Sequence, residues 1–587
     1  MFVESVLVHM SVSASLALLL ACIVGQLNSW IAVTSLILAT LLTAVYRRSM
    51  GRPCADESAS HPQTSPPQLR RISGAIGDFD PRQLTFPVWC LLLFLAFVVF
   101  RHSLYLLYFH DGWWKTLHPN NLGDLPLHMT YIKFFSAGNA FPPANPYYMS
   151  EALRYPMAMD LYNALWDKLG MPMMTHLFLV GVLSFITIFL ALYRWAGPWA
   201  WAAVFFNGGY WSWDFWAHEL GSSGASDLAW KNLFLSVLLT QRGFLFALPA
   251  GLVILHRGFE ACFRSRPLTA SQLWLYGWLW GILPFFHLHT FLAVSLLLGL
   301  WALLQKKVRD LLPMAVGAAF VAVPFLLYST NFMAATGALR FKLGWTRSEG
   351  ENIILYWWKN FGPWSILLLL MAFEVWRGKL RSWRIYFIAA LALLMSTQLV
   401  LFAPWDWDNI KVMIWSYLAF IPLLELWCQM RLQPWQRDTV LAILFISGAL
   451  SVGWSLRTEW PGVKLYAQEE LNIVEQIVPK VPANSIFATA DTFQHPVSYF
   501  GYGIALGFAG HLWSHGIESY EVRDAVDKIM KGDADWRVLA GRLGITHIYW
   551  GAREREKYGE QGQGWQQESN ISPVPEVGIY ELAKSPQ

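Results

Sequence analysis

Between residues 123 and 131 the chain reads Gly-Asp-Leu-Pro-Leu-His-Met-Thr-Tyr, which sets Asp124 and His128 four positions apart. On a helix that spacing brings both side chains to one face. A carboxylate walled by aromatic residues is poorly solvated. Its pKa then rises toward working pH, and it can take a proton from a hydroxyl. Asp111, in Phe109-His110-Asp111-Gly112-Trp113-Trp114, is a second acid of the same segment. Each acid has a plainer reading, Asp124 as a helix N-cap and Asp111-Gly112 as an ordinary turn. Arg154 and Asp160, in Leu153-Arg154-Tyr155-Pro156-Met157-Ala158-Met159-Asp160, suit either ligand binding or an ion pair that braces the segment.

The cationic candidates lie elsewhere. Arg242 falls inside an otherwise apolar run, where a charge costs ~2.5–3.5 kcal/mol on insertion scales. Such a side chain turns to the protein interior or a wet cavity, where a phosphate is a fitting partner. An internal ion pair with Asp214, Asp227 or a loop carboxylate is the alternative. His287 and His289 are two apart, so a regular helix points them to nearly opposite faces and makes them poor joint metal ligands. A helix break at Pro284 would free them to bind phosphate or substrate; hydrogen-bonded interior positions would leave them structural. In Trp405-Asp406-Trp407-Asp408-Asn409-Ile410-Lys411 two acids, an amide and a lysine crowd together. Asp408 and Lys411 suit the edge of a site, with Lys411 neutralising phosphate, or else a self-neutralising surface turn. The two tryptophans fit an interfacial belt. Arg340, Lys342 and Arg347 suit an anionic head group or a solvated loop. Near the C-terminus His495, His511 and His515 sit among aromatic residues and glycine, suited to ligand binding or to ordinary packing.

The composition says what positions these residues. Of 587 residues, 55% are hydrophobic and only 14% charged, with mean hydropathy +0.36. A soluble surface needs about a quarter charged residues, so a soluble enzyme, a disordered chain and a disulfide-stapled scaffold are excluded. The net charge of +4 is too small to indicate a nucleic-acid partner, and the 33 tryptophans fit the membrane interface. A ~20-residue ruler gives about thirteen candidate spans. They cover residues 7–24, 31–45, 84–100, 175–195, 199–215, 233–255, 273–285, 288–304, 311–328, 356–376, 385–404, 412–430 and 439–456. The short 273–285 run and its successor read as a tight hairpin turning at Pro284 or as one long broken helix.

Arginine and lysine stay in cytoplasmic loops. Arg47, Arg48, Arg52, Arg70, Arg71 and Arg82 form one group; Arg257, Arg264 and Arg266 a second; Lys306, Lys307 and Arg309 a third. Arg377, Lys379, Arg381 and Arg384 form a fourth, and Arg431 with Arg437 a fifth. Alternating the spans puts all five groups on one side. The N-terminus is then cytoplasmic, and residues 102–174, 331–355 and 457–587 lie outside. Leu19-Leu20-Ala21-Cys22 resembles a lipoprotein cleavage box, but Glu4 stands where a leader wants positive charge, so the first run is expected to be a retained helix. Cys22, Cys90 and Cys428 fall in or at the ends of spans, and Cys54 and Cys262 in predicted cytoplasmic loops, so no exported disulfide framework is expected. Residues 52–67 read as a flexible loop. In the polar tail, residues 484–490, 546–550 and 578–582 read as strands, and 471–478, 520–530 and 536–543 as helices. That alternation suggests a small α/β domain.

Gly-Asp-Leu-Pro-Leu-His after an early span, followed by Phe141-Pro142-Pro143-Ala144-Asn145-Pro146 and the Tyr155-Pro156 segment, resembles the GT-C class of membrane glycosyltransferases, in a branch with a mixed α/β tail. The resemblance extends in scattered blocks through Gln241-Arg242-Gly243, Pro284-Phe285-Phe286-His287-Leu288-His289 and the 405–411 stretch. It reaches Asp491-Thr492-Phe493-Gln494-His495-Pro496 and His511-Leu512-Trp513-Ser514-His515-Gly516 in the tail. It implies a polytopic α-helical membrane protein with a GT-C-like body over 1–456 and an extracytoplasmic α/β domain over 457–587. The implied enzyme sits in the cell (inner) membrane and moves sugar from a polyprenyl-phosphate donor to a glycan, lipid or protein acceptor on the outer face. In that class an acidic residue of the first outer loop is essential, and Asp124 is the matching position. Many members carry two adjacent acids there, whereas Leu125 follows Asp124 here, which leaves the assignment open and weakens the expectation of a metal; no cofactor is required, and a divalent cation is possible. Asp111 and His128 are the other catalytic candidates. Arg242, Lys411, Asp408, His287 and His289 are candidates for the donor phosphate, and Arg154, Asp160 and His495 for acceptor binding or loop bracing. A transporter of lipid-linked saccharide and a non-catalytic assembly protein are the competing expectations. Transporters commonly show paired repeats and midplane polar residues, whereas polar character here gathers at one face.

Overall fold

In the computed structural model the described residues are 1–50, 79–209, 228–264, 267–331, 339–457, 462–559 and 564–583. Arg52, Cys54, Arg70, Arg71, the 52–67 loop, Asp214, Asp227 and Arg266 lie outside them. Among the described residues nine helices are long and apolar enough to cross a membrane: Phe2–Val24, Ser29–Arg48, Phe86–Leu104, Met173–Phe205, Arg242–Arg264, Val308–Ser329, Arg381–Leu399, Asp406–Arg431 and Pro434–Ser455. Leu288–Leu304 and Pro363–Trp376 are shorter apolar helices. The chain is thus a polytopic helical membrane protein.

The departures from the thirteen expected spans have local causes. Ala196 and Gly197 leave helical geometry inside Met173–Phe205 (Gly197 φ 59°), so two predicted spans meet at one kink. The predicted 233–255 run is broken at 239–241, after the π-helical turn Phe234–Leu238. Arg242 therefore opens a helix instead of sitting inside one. Cys262 lies buried in the last turns of that helix, not in a loop. The short 273–285 run is Ala270–Gly281 plus the one-turn helix Leu283–Phe286. His287 is extended (φ −161°, ψ 102°) before Leu288–Leu304 begins. Trp280 Nε1 donates to Ser295 Oγ at 2.9 Å across that break. Residues so far apart in one straight helix could not touch, so the segment is a hairpin that turns at His287.

Arg242–Arg264 and Asp406–Arg431 are the two most enclosed helices, apolar on nearly every face, as central helices must be. Two glycines permit close approaches to the first of them, Gly251 by Asp406–Arg431 and Gly243 by Leu283–Phe286. A Cβ on Gly251 would fall 2.2 Å from the Trp415 ring, and one on Gly243 would fall 2.0 Å from the Phe286 carbonyl oxygen. Gly243 thereby lets the Gln241–Arg242 turn lie against the His287 break. Gly243→Ala is expected to cost about 1–3 kcal/mol, the usual penalty of overpacking. Gly299→Ala, whose Cβ meets nothing, serves as the control; equal melting temperatures of the two variants in detergent would refute the packing role.

Residues 102–174 form a compact platform at one end of the bundle. Tyr108–His110 pairs antiparallel with Trp113–Thr116, turning on Asp111 (φ 50°) and Gly112 (φ 75°), the left-handed pair of a tight hairpin. Asn121–Ser136 and Ala158–Lys168 pack together below it. The C-terminal region docks on this platform. Val463–Ala467 adds to the hairpin as a third strand, and Ile504 and Gly507 amides donate to the Pro146 and Tyr147 carbonyls at 2.8 Å. Its own five-stranded sheet runs in the order Ser569–Asn570, Gly578–Glu581, His547–Trp550, Ile486–Ala488, Gly503–Ile504. The last three strands are parallel and the first two antiparallel. The expected strands and helices of the tail occur at the expected places, with Gln468–Ile477, Tyr520–Lys531 and Trp536–Arg542 as the helices.

Candidate active site

Asp124 lies in the first turn of Asn121–Ser136, past its N-cap Asn120. It is therefore not the cap that local sequence allows. Its Oδ1 accepts from Gln241 Nε2 at 3.2 Å, which ties the platform to the start of the Arg242–Arg264 helix. Asp124 is partly accessible, yet protein encloses it on most sides. Burial pushes its carboxyl above the ordinary value, and nearby Asp408 adds to the rise. His128, Lys411 and the Gln241 hydrogen bond oppose it.

One turn on, His128 is held by Asp160, whose oxygens lie 2.9 and 3.0 Å from Nδ1. A carboxylate only accepts, so Nδ1–H donates and Nε2 is the free ring nitrogen. That Nε2 is buried and has no hydrogen-bond partner among the described residues. Asp160 was a candidate partner for Arg154. The structure instead joins Arg154 to Glu151 at 3.3 Å and gives Asp160 to His128.

Lys411 closes another side. Its Nζ donates to Asp408 Oδ2 at 3.0 Å, and the other oxygen of Asp408 is buried without a partner. Asn409 fixes the turn, donating to the Thr397 and Val400 carbonyls and accepting from the Phe402 amide. Asp406 faces away, where Arg340 (2.9 Å) and Lys342 (2.5 Å) neutralise it. Those two loop cations are thus occupied, and Arg347 donates to the carbonyls of Ser348 and Glu351.

The charge of Lys411 reaches Asp124, His287, His289 and His515. The break at His287 undoes the opposite-face geometry of a regular helix, and the His287 and His289 rings stand 5.7 Å apart. His287 Nδ1 accepts from the Thr290 amide, and its buried Nε2 is unpartnered. From the C-terminal region, the ring of His515 packs 4.9 Å from that of Tyr155. His511 lies over the bare backbone of Gly123. Burial, with Lys411 and His128 nearby, lowers His515 to about 4; burial, with His515 and His128, lowers His511 to about 3. Both are neutral near pH 7. Burial also drives the Tyr155 phenol well up, with Asp160, Asp124 and Asp408 adding to it.

Asp124, His128, Lys411, Asp408, His287 and His289 therefore gather about one recess, although three separate stretches of chain supply them. Arg242 stands behind it. Its Nη2 donates to the Leu177 carbonyl at 3.3 Å, its Nε has no partner among the described residues, and the charge of Asp160 reaches it. Asp111, exposed at the hairpin tip, pairs with His110 at 2.8 Å. His495 is buried within the C-terminal region, against Glu554 at 3.4 Å and the Tyr549 ring at 4.6 Å. The structure does not bring these two residues to the recess. Gln241, Tyr155, His511 and His515 are there, although the sequence alone did not mark them for this recess. Their signals were slight: Gln241 adjoins Arg242, and His511 and His515 share helical spacing. Among the described residues no three His, Cys, Asp or Glu side chains converge as metal ligands. Asp160 and Asp408 are already paired with His128 and Lys411, so no step is assigned to a divalent cation.

The fold and recess define a polytopic helical membrane protein with a half-enclosed acid, imidazoles and a lysine at one end of its bundle. No family model matches the chain, and no curated protein matches it.

Proposed function

We propose that the protein is a membrane glycosyltransferase of the GT-C type that uses a polyprenyl-phosphate-linked sugar and inverts the anomeric centre. The observation that carries this reading is the convergence of Asp124 with Lys411, His287 and His289 on one recess. An acceptor hydroxyl oxygen attacks the anomeric carbon as the bond from that carbon to the phosphate oxygen breaks. The electron pair leaves with the lipid phosphate, which Lys411 and the ring N–H groups of His287 and His289 receive. The hydroxyl proton goes to Asp124. An apolar groove lined by Ile353, Ile354, Leu355, Trp357 and Trp358 offers the prenyl chain a place. It adjoins the recess edge through Trp345, which stacks near Trp357 and donates to the Asp406 carbonyl.

In this reading the hairpin counts as two crossings, the kinked Met173–Phe205 helix belongs to two, and thirteen spans result. The N-terminus is cytoplasmic, and the recess and an α/β domain over 457–587 face outward, with a glycan, lipid or protein as acceptor. The test uses the full chain in proteoliposomes with a radiolabelled polyprenyl-phosphate sugar and an envelope extract as acceptor source. Label joined covalently to acceptor is expected. Label that crosses the bilayer still on its carrier would replace the reading with transport, and label that does neither would leave an assembly role.

A further inference from the structure

We propose that the C-terminal region supplies the acceptor subsite, and that the acceptor is an uncharged glycan lying against Tyr155 and His515 at the mouth of the recess. The proposal rests on the transferase reading and narrows its acceptor to one class.

The tail sheet turns its ligand-binding edge toward the recess. In open α/β sheets ligands bind beyond the carboxyl ends of parallel strands. Three strands run parallel here, in the order His547–Trp550, Ile486–Ala488, Gly503–Ile504. Beyond the first two the space is already filled. Glu554 accepts there from the Ala490 and Gly551 amides and lies 3.4 Å from His495. The chain leaving the second and third strands runs instead to the platform. After Ile486–Ala488, the Phe493 carbonyl accepts from the Tyr147 hydroxyl at 2.8 Å. After Gly503–Ile504, the rings of Phe508 and His511 pack 5.2 Å apart, and His511 covers Gly123, the residue before Asp124. Four residues on, His515 meets Tyr155. A molecule that presents a hydroxyl to Asp124 thus lies alongside these tail residues.

Their chemistry selects the occupant. Tyr155, Phe493, Phe508, His511 and His515 are each partly accessible. His515 is neutral near pH 7, so its ring carries one donor and one acceptor nitrogen. Neither that ring nor the Tyr155 hydroxyl makes a hydrogen bond to another described residue. Neutral donors and acceptors beside aromatic faces suit a sugar, which has hydroxyls round its rim and C–H bonds on its faces. The adjoining charges are already matched, Arg154 with Glu151 at 3.3 Å and Asp491 with Lys557 at 2.8 Å. An ionic acceptor finds no spare countercharge in them. A peptide strand is also unsuited, because the Ile504 and Gly507 amides are spent on the Pro146 and Tyr147 carbonyls. That edge of the sheet is therefore already paired with the platform. The apolar groove of residues 353–358 goes to the prenyl chain of the donor in this reading.

The experiment uses the full chain in proteoliposomes with the labelled polyprenyl-phosphate sugar. The envelope extract is split into neutral-glycan, acidic-glycan, protein and lipid fractions. Label is expected in the neutral glycan. His515→Ala should raise the apparent KM for that fraction about tenfold, with the donor KM within about twofold of the unsubstituted value. Tyr155→Phe keeps its ring and loses one hydroxyl. It should raise the acceptor KM about threefold, and it serves if the alanine variant misfolds. Label in any of the other three fractions instead, an unchanged acceptor KM, or a donor KM that rises in step would each overturn the subsite. Absence of transfer into every fraction by the unsubstituted chain would instead bring down the transferase reading beneath it.

Discussion

Asp124→Asn is expected to fold, insert and melt at or above the temperature of the unsubstituted chain while its turnover falls by about 10²–10⁴-fold, the usual worth of a positioned proton acceptor. The amide is nearly the same shape, and its carbonyl oxygen can still accept from Gln241 Nε2. Only the basic oxygen is lost. The stability half of the expectation follows from the raised pKa of the acid. Burial favours the protonated carboxyl, so the contribution of Asp124 to stability is complete below the ordinary aspartate range and is lost as pH rises through the raised value. Asparagine cannot ionise and escapes that loss at neutral pH. On the transferase reading, the same shift gives the unsubstituted protein an acid limb in kcat/KM that sets in above the ordinary aspartate value of ~3.9. Thermal melting in detergent and transfer of labelled sugar measure the two halves separately. A variant that is stable and turns over undiminished would remove Asp124 as the base.

How far the site could be read from sequence depended on how local each contact is. Asp124 and His128 are four apart on one helix, and helical geometry alone sets them side by side. Asp160, the partner of His128, lies 32 residues away. Only the packing of Ala158–Lys168 on Asn121–Ser136 gives Asp160 to His128 in place of Arg154. Gln241 escaped because residues 239–241 read as part of a continuous apolar run. Neither glycine nor proline marks the break there; the chain leaves the helix with no local breaker residue in Leu239-Thr240-Gln241. His287 shows the reverse case, since Pro284 did signal an interruption, yet the turn falls three residues later. Tail strands and helices were legible because period-2 and period-3.6 patterns are local properties. That His511 and His515 reach Tyr155 and Gly123 was not, because the tail docks through backbone hydrogen bonds to Pro146 and Tyr147, which carry no side-chain code.

Lys411→Met is expected to be the more damaging change, lowering stability by about 3–5 kcal/mol because it strands a buried carboxylate. Asp408 and Lys411 are only 12% and 11% exposed at the side chain. One oxygen of Asp408 has no partner among the described residues even in the intact pair, so removing Lys411 takes away its one cation there. Adding Asp408→Leu removes the stranded charge, and replacing a buried pair by apolar side chains is often neutral or stabilising. The double variant should therefore regain most of the lost stability. Transfer should not return with it. Among the described residues, Lys411, whose field reaches Asp124, His287, His289 and His515, is on the transferase reading the cation placed to meet a departing phosphate, with Arg242 standing behind the His128–Asp160 pair. The apparent KM for the polyprenyl-phosphate donor should rise at least ~10-fold, the size of one lost charge-assisted contact at ~1.5–3 kcal/mol. Stability and donor use would then part company in a single comparison, melting temperature recovered and donor KM still raised. A double variant that both melts normally and transfers sugar at the original donor KM would show that Lys411 serves the fold alone.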